Sequence, residues 1–296
     1  MKDWQAHTVV TEEYVDPVAV AALGALFESG APPLAAGDPL PPLWHWVAFP
    51  RWPMSSAIGP DGHPARGDFL PPIELPRRMF AGGEIRLSGH LTIGSTVRRE
   101  TRVLSVTPKT GRSGQLMVVE VEIRLFGDDG APAVVERQDL IYRDADKGVN
   151  GGASPVAIEP VGRPLRRLHD WEWELRTDPT VLMRFSAVTA NPHRIHYDWP
   201  YATLTEGYPG LVVHGPLMTL ALAETLRIER PETTPTRVRH RNLAPLFCPN
   251  PAGIRRQDHL GTDLSIAVVS DQGGRPAVVH TVLTAEFPSL GDRFNA

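Results

Sequence analysis

Between Ala190 and Asp198 the chain reads ANPHRIHYD, which sets Asn191, His193, His196 and Asp198 within nine residues. Histidine exchanges protons near neutral pH, and amides and carboxylates orient it or the water it acts on. Just downstream, EGYPGLVVHGPLM brings Tyr208, Gly210, His214 and Gly215 to the start of a strongly apolar run. Three readings compete for these residues: an acid–base site, a metal site, or a polar loop. As a loop, Asn191 before Pro192 is an Asx turn, Asp198 a local backbone cap, His193 a loop histidine, and Gly207 and Gly210 turn residues. His214 then becomes a satisfied, partly buried histidine. A metal is not expected. The HxxH spacing lacks the glutamate and the i,i+4 geometry of a helical zinc motif, and no second ligand cluster accompanies it.

What positions these groups is the segment GPLMTLALAETLRI, beginning at Gly215. Pro216 suits a first helical position, and Leu217, Met218, Leu220, Ala221, Leu222, Ala223 and Leu226 leave almost no polar face before Glu224. A short helix apolar nearly all round must be enclosed. Its first N–H groups have no intrahelical acceptor and carry the positive end of the helix dipole. Pro216 has no N–H, so the donor at that point is Gly215 or His214. Around the helix, period-two segments predict antiparallel strands at GEIRLSGHLTIG, TVRRETRVLSVT, QLMVVEVEIRLFG and AVVERQDLIYR. In the third, Val119, Val121, Ile123 and Leu125 share one face while Glu120, Glu122 and Arg124 share the other.

Asp16, Pro17 and Gly30 bracket an earlier helix in YVDPVAVAALGALFESG, and LWHWVAF (Leu43 to Phe49) reads as a short strand. The surrounding proline-rich stretch, Pro32 to Pro76, is long for a structureless loop, so it is either functional or laid over a sheet face. DADKGVNGGASP reads as a linker, after which the order of elements repeats. A strand is predicted at TVLMRFSAV, then the buried helix, then strands at TRVRHRNLAPLF, DLSIAVVSD and PAVVHTVLTAEF. Curved antiparallel sheet around a buried helix, twice over, is an α+β double hot dog. The halves are 1–143, taken as non-catalytic, and 159–296, taken to carry the site, joined by a linker at 144–158.

Composition agrees with an ordinary soluble globular protein: 296 residues, 42% apolar, 22% charged, net charge -4. That charge and the lack of a basic run speak against nucleic acid as a partner. The apolar run from Gly210 to Leu226 is too short and too interrupted to span a membrane, and the N-terminus shows no secretory pattern. Cys248, the only cysteine, permits no internal disulfide and is expected in the core. A cytoplasmic location is expected.

FSAVTANPHRIHYDWPYA followed by EGYPGLVVHGPLM resembles the active-site segment of MaoC-like, R-type enoyl-thioester hydratases. WHWVAF, GPDGHPARGDFLPPIELPRRMFAGGEIRL and TPKTGRSG are similar to the branch that holds mesaconyl-C4-CoA (3-methylfumaryl-CoA) hydratases and dehydratases of fatty-acid-synthase-like type. The resemblance covers most of the chain and implies a double hot dog. Its pattern is an aspartate, a histidine five residues on, and an acid two beyond. His196 falls on the histidine, Asp198 on the trailing acid, and Asn191 on the leading aspartate. An amide cannot take a proton as a general base, so a two-base mechanism is in doubt, although the branch itself carries asparagine there.

Read through this resemblance, His196 takes a proton from water, Asn191 orients the water through its carbonyl, and Gly215 donates to the thioester oxygen. Tyr208, Gly210, His214 and Arg194 are the expected substrate contacts, with Arg184 or Arg194 able to hold a distal carboxylate. The basic RVRHRN, Arg237 to Asn242, is either a phosphate contact or merely an exposed strand face. The expected activity is hydration of a short, carboxylated or methyl-branched enoyl-CoA: mesaconyl-C4-CoA to citramalyl-CoA, or itaconyl-CoA. The alternatives are a 3-hydroxyacyl-carrier-protein dehydratase and, from another class, a non-catalytic acyl-thioester-binding subunit. No cofactor is expected, because coenzyme A belongs to the substrate. A homodimer is the assembly the family allows.

Overall fold

The computed structural model describes residues 4–111, 114–127, 129–144, 159–257, 263–271, 273 and 276–288. Most of the linker expected at 144–158 lies outside these residues. In chain order the elements open with strand β1 (Thr8–Tyr14), helix α1 (Pro17–Phe27) and the single-turn helix α2 (His45–Ala48). Strands β2 (Arg77–Leu87), β3 (Thr96–Gly111), β4 (Gly114–Phe126) and β5 (Pro132–Arg143) follow. The second half begins with β6 (Leu165–His169), β7 (Glu172–Leu175) and α3 (Pro179–Val188), then the central helix α4 (Gly215–Glu229). It closes with β8 (Arg237–Asn242), β9 (Ala252–Gln257), β10 (Leu264–Ser270) and β11 (Val278–Glu286).

Among the described residues the strands form one antiparallel sheet in the order β1-β3-β4-β5-β2-β8-β11-β10-β9-β7-β6. The two halves of the chain meet where β2 pairs with β8, from Gly82 opposite Arg241 to Arg86 opposite Arg237. β4 shows why the sheet has one wet face: Val119, Val121, Ile123 and Leu125 are all buried, while Glu122 and Arg124 pair with each other and Glu122 with Arg102. Helix α4 lies against β2, β10 and β11, and every residue from Leu217 to Leu226 is buried. Even Glu224 is enclosed, its carboxylate accepting from Ser29 Oγ at 2.6 Å and from Arg227 Nε at 2.8 Å.

Two segments read as strands are helices. In TVLMRFSAV, Asp178 Oδ1 accepts from the Val181 N–H at 2.7 Å and Pro179 sits in the first turn, so an N-cap starts α3. Its buried residues, Val181, Leu182 and Phe185, follow helical rather than alternate spacing. In LWHWVAF every residue but Trp46 is buried, so burial shows no period, and the helical turn is closed by the Ala48 N–H donating to Trp44 O at 3.0 Å. The turn of α2 aims His45 and Trp46 at Glu136, a fully buried carboxylate on β5 that accepts from both rings at 2.8 Å. Gln138 Nε2 supplies a third donor at 2.8 Å. The first of the four predicted strands also shifts: β2 begins at Arg77 and stops at Leu87, short of the HLTIG end of the predicted segment. Strands β1, β6, β7 and β9 carry no clear sequence signal.

Candidate active site

The segment after α3 is shaped by local hydrogen bonds. The Asn191 N–H donates to Ser186 O at 2.8 Å, and Asn191 Oδ1 accepts from the His193 N–H at 3.1 Å, closing an Asx turn over Pro192. The amide oxygen thus spends one of its two lone pairs on the backbone, and no hydrogen bond holds Nδ2 among the described residues. A short 3-10 turn, Arg194–His196, then delivers His196 to the interior.

His196 Nδ1 donates to Val212 O at 2.7 Å, and the Val212 N–H donates to Ile195 O at 3.0 Å. The first bond fixes the tautomer, so Nε2 carries the lone pair. Burial pushes the His196 pKa down to about 3, more than the Val212 carbonyl raises it, and nearby His63 lowers it further. Beneath His196 lies His214, ring on ring at 3.5 Å and 18°. His214 is fully buried, held by Ser186 Oγ at 2.9 Å from Nε2, and burial with His196 and His193 for neighbours drives its pKa well down. His214 was expected to touch substrate. With no exposed surface it supports His196 instead.

The stack continues outward. The His193 ring meets His196 edge-on at 5.4 Å, and the His63 ring lies 3.9 Å from His193. His63 comes from the proline-rich stretch of the first half. Its Nδ1 donates to Asp61 Oδ2 at 3.0 Å, and Asp61 Oδ1 accepts from the His63 N–H at 2.9 Å. The loop that carries it is docked on the Asx-turn segment: Arg194 N–H donates to Asp61 O at 3.0 Å. Gly62, at φ +91, sits so close that a Cβ there would lie 1.9 Å from Pro192 O. Burial is the main cause that lowers the pKa of both His63 and His193, the latter to about 2.

Asp61, His63 and His193 bring three metal-ligand atoms within 4.8 Å. The Asp61 oxygens are taken by His63, the two rings face each other at a 34° tilt, and the Arg78 and Arg66 cations act on His63. Rings packed face to face at this tilt beside cations suit a ring contact better than a shared metal ion, and we assign no metal here.

His196, His193 and Asn191 open onto a cavity of about 280 Å³ that also reaches Gly215, Tyr208 and Asn242. Gly215 begins α4, and its N–H has no acceptor among the described residues. Asn242 presses on it: a Cβ at 215 would lie 2.6 Å from Asn242 Nδ2, which itself donates to Phe80 O at 2.9 Å. The wall also holds the Arg77–Glu206 ion pair, 2.7 Å from Nε to Oε2, with the Arg77 guanidinium 5.5 Å above the Tyr208 ring. Burial raises the Tyr208 pKa, so its hydroxyl stays protonated. A second cavity of about 410 Å³ adjoins the first and shares His63, Arg78, Phe80, Asn191 and Pro216 with it. Both chambers thus draw on the first half of the chain.

Of the expected substrate contacts, Tyr208 lines the cavity while Gly210 and Arg194 do not. Gly210 is buried against other groups: a Cβ there would lie 3.4 Å from the Trp199 ring and from Cys248 O. Arg194 is consumed by Asp198, with Nε to Oδ2 at 2.9 Å, by Pro60 O at 3.0 Å, and by the face of Tyr201 at 4.2 Å. Asp198 in turn caps the Tyr201 N–H at 3.1 Å, and that bond and Arg194 lower its pKa. Arg184 donates to Ala25 O at 3.4 Å and lines neither this cavity nor its neighbour. The basic strand β8 is tied up in part by Glu84, Asp263 and Glu286. Cys248 is buried and its thiol pushed up to about 11, an inert core group. Sequence reasoning missed Asp61, His63, Arg78 and Asn242; the one available signal was the Asp-Gly-His spacing within an overlong loop.

Comparison with known proteins supplies the remaining findings. The profile described as "Hydroxyacyl-thioester dehydratase type 2" matches residues 43–248. The mesaconyl-C(4)-CoA hydratase of Chloroflexus aurantiacus is 46% identical over 231 residues, 76% of this chain and 79% of that protein. The mitochondrial hydroxyacyl-thioester dehydratase type 2 of Schizosaccharomyces pombe is 36% identical over 239 residues, 73% and 77% of the two chains. Among solved structures, a MaoC-like dehydratase from Phytophthora capsici superposes with TM-score 0.64 at 15% identity, over 98% of this chain and 97% of that one. A Mycobacterium tuberculosis protein described as a double hot dog superposes with TM-score 0.50 at 15% identity, over 96% of each chain.

Proposed function

The chain belongs to the hydroxyacyl-thioester dehydratase type 2 family and is an enoyl-CoA hydratase/dehydratase, and we propose that its substrate is mesaconyl-C4-CoA, hydrated to citramalyl-CoA. One observation carries the mechanism: the free Nε2 of His196 and the unclaimed N–H of Gly215 open onto one cavity. The Gly215 N–H, at the positive end of α4, donates to the thioester oxygen, where charge builds up as water adds. Asn191 Nδ2 donates to the attacking water and leaves a second lone pair on its oxygen for the carbon. His196 Nε2 takes one proton from that water while the hydroxyl bonds to C3. The same imidazolium then returns the proton to C2, which restores the neutral ring.

A single base is sufficient in this scheme. That agrees with the leading acid position being Asn191, with the His63 Nδ1–H given to Asp61, and with burial keeping the His193 ring neutral. No cofactor takes part beyond the coenzyme A of the substrate. The setting proposed is cytoplasmic and the assembly a homodimer; no helix among the described residues is long and apolar enough to cross a membrane.

The test is the ultraviolet absorbance of the conjugated thioester, which hydration removes. Wild-type protein bleaches mesaconyl-C4-CoA, and His196→Ala loses about 10²–10⁴-fold in rate with its melting curve intact. A thioester-binding subunit would instead show ligand-dependent stabilisation without bleaching, and a carrier-protein dehydratase would prefer the acyl-carrier-protein thioester to the CoA form.

A further inference from the structure

Among the residues that the two chambers share there is one strong cation. Arg78, on β2 in the first half of the chain, lines both chambers together with His63 and Asn191. It makes no ion pair with a carboxylate among the described residues; its immediate polar neighbour is the Tyr142 phenol, with Asp61 acting at longer range. The Asp61 oxygens are already occupied by the backbone and ring of His63. Deeper in the larger chamber the wall adds Arg51 and Arg99. Arg51 pairs with Glu13, whereas Arg99 donates from Nε to Thr101 Oγ1 at 3.1 Å. The only carboxylate among the residues lining that chamber is Glu136, and its oxygens are taken by His45, Trp46 and Gln138. A largely desolvated guanidinium without a counter-ion is costly, and the chamber is therefore built for an anion.

We propose that Arg78 binds a free carboxylate carried on the β-carbon of the acyl group, and so selects C4-dicarboxylic enoyl thioesters over simple enoyl-CoAs. This rests on the hydratase reading above and assigns its specificity. The placement fits a short diacid. With the thioester oxygen at Gly215 and the β-carbon between Asn191 and His196, a carboxylate on that carbon projects toward the part of the wall, common to both chambers, that Arg78 forms with Asn191. The planar fork of arginine can hold both carboxylate oxygens and thereby fix which face of the double bond meets His196. Arg194 and Arg184, the arginines that sequence alone suggested for this role, do not line either chamber.

Two unreactive ligands isolate the effect: the C4 thioester of methylsuccinate and isovaleryl-CoA differ only in carboxylate against methyl. Titration calorimetry on the full-length protein is expected to show the diacid thioester binding about 10–100-fold tighter, the range of a charge-assisted pair. Arg78→Gln should reduce that ratio to near one, and Arg78→Lys should keep part of it. In kinetics, Arg78→Gln should lower the ratio of kcat/KM for mesaconyl-C4-CoA over crotonyl-CoA by a similar factor, chiefly through KM. A ligand ratio near one in the wild type overturns the proposal without any mutant. So does an unchanged ratio in a folded Arg78→Gln protein. Wild-type protein that binds the diacid selectively but hydrates neither enoyl-CoA would overturn the hydratase reading and leave the carboxylate site standing.

Discussion

At the scale of single residues, the site depends on an imidazole kept neutral by its surroundings. His196 has its ordinary pKa of 6.5 lowered to about 3 because burial disfavours the charged ring. A base works only when deprotonated, so depression of its pKa moves the acid limb of activity downward. Initial rates of kcat/KM are therefore expected to run flat from about pH 8 to about pH 5 with no inflection near 6.5. An acid limb centred near 6.5 would mean that the ring is solvated during turnover. Asn191 illustrates the boundary of what sequence could say at this scale. Its neighbour Pro192 did suggest an Asx turn, and that turn is present, but only the fold shows that Asn191 lines the cavity while making it. Likewise the sequence offered His196 as the base and His214 as a substrate contact; a Val212 carbonyl on the first and the complete burial of the second show how each ring is held.

At the scale of elements, α4 supplies the amide that the chemistry needs, and its first residue has no room for a side chain. Asn242 Nδ2 is held in place by Phe80 O at 2.9 Å, and Asn242 Oδ1 accepts from Thr281 Oγ1 at 2.9 Å. Gly215→Ala is expected to push the helix start away from the cavity and reduce kcat by about 10-fold or more, up to the 10²–10³ seen for loss of one oxyanion donor. Adding Asn242→Ala, which removes the contact, should recover part of the loss; steady-state kinetics on both proteins checks it. The apolar periphery of α4 made this helix plain from sequence, as period two did for β3, β4 and β5. The failures have a common cause. TVLMRFSAV and LWHWVAF are rich in residues that strands also favour, and short apolar runs carry too few turns for a period to declare itself. In the first, the Asp178–Pro179 start signal outweighed β propensity. The edge strand β6 exposes four of its five residues, so no alternation exists to be read.

At the scale of the whole molecule, the site is assembled from parts far apart in sequence. The loop with Asp61 and His63 is seated against Pro192–Arg194 by the Arg194 N–H donating to Asp61 O and the Arg194 guanidinium donating to Pro60 O, and the approach is closed by Gly62 in a left-handed conformation. Gly62→Ala places a Cβ 1.9 Å from Pro192 O, so the loop must lift. Stability is expected to fall by about 1–3 kcal/mol, read by denaturant titration, and hydratase activity should fall with it. An unchanged midpoint would show that the docking is loose. Nothing in the sequence forecast this contact, because a proline-rich stretch has no period and its partner is more than a hundred residues away. The double hot dog itself was legible from the enclosed helix and the repeated order of elements; how one half leans on the other was not.

The continuous backbone ladder from β2 into β8 also frees the cavity from a constraint. A hot-dog unit paired with an identical twin must show the twin the same surface it sees, so any group placed on one wall recurs, by rotation, on the other. Here the facing walls are different stretches of one polypeptide. One side could keep the proton-handling imidazole and the helix mouth, while the other became a charged reading head, with no duplicate of either getting in the way.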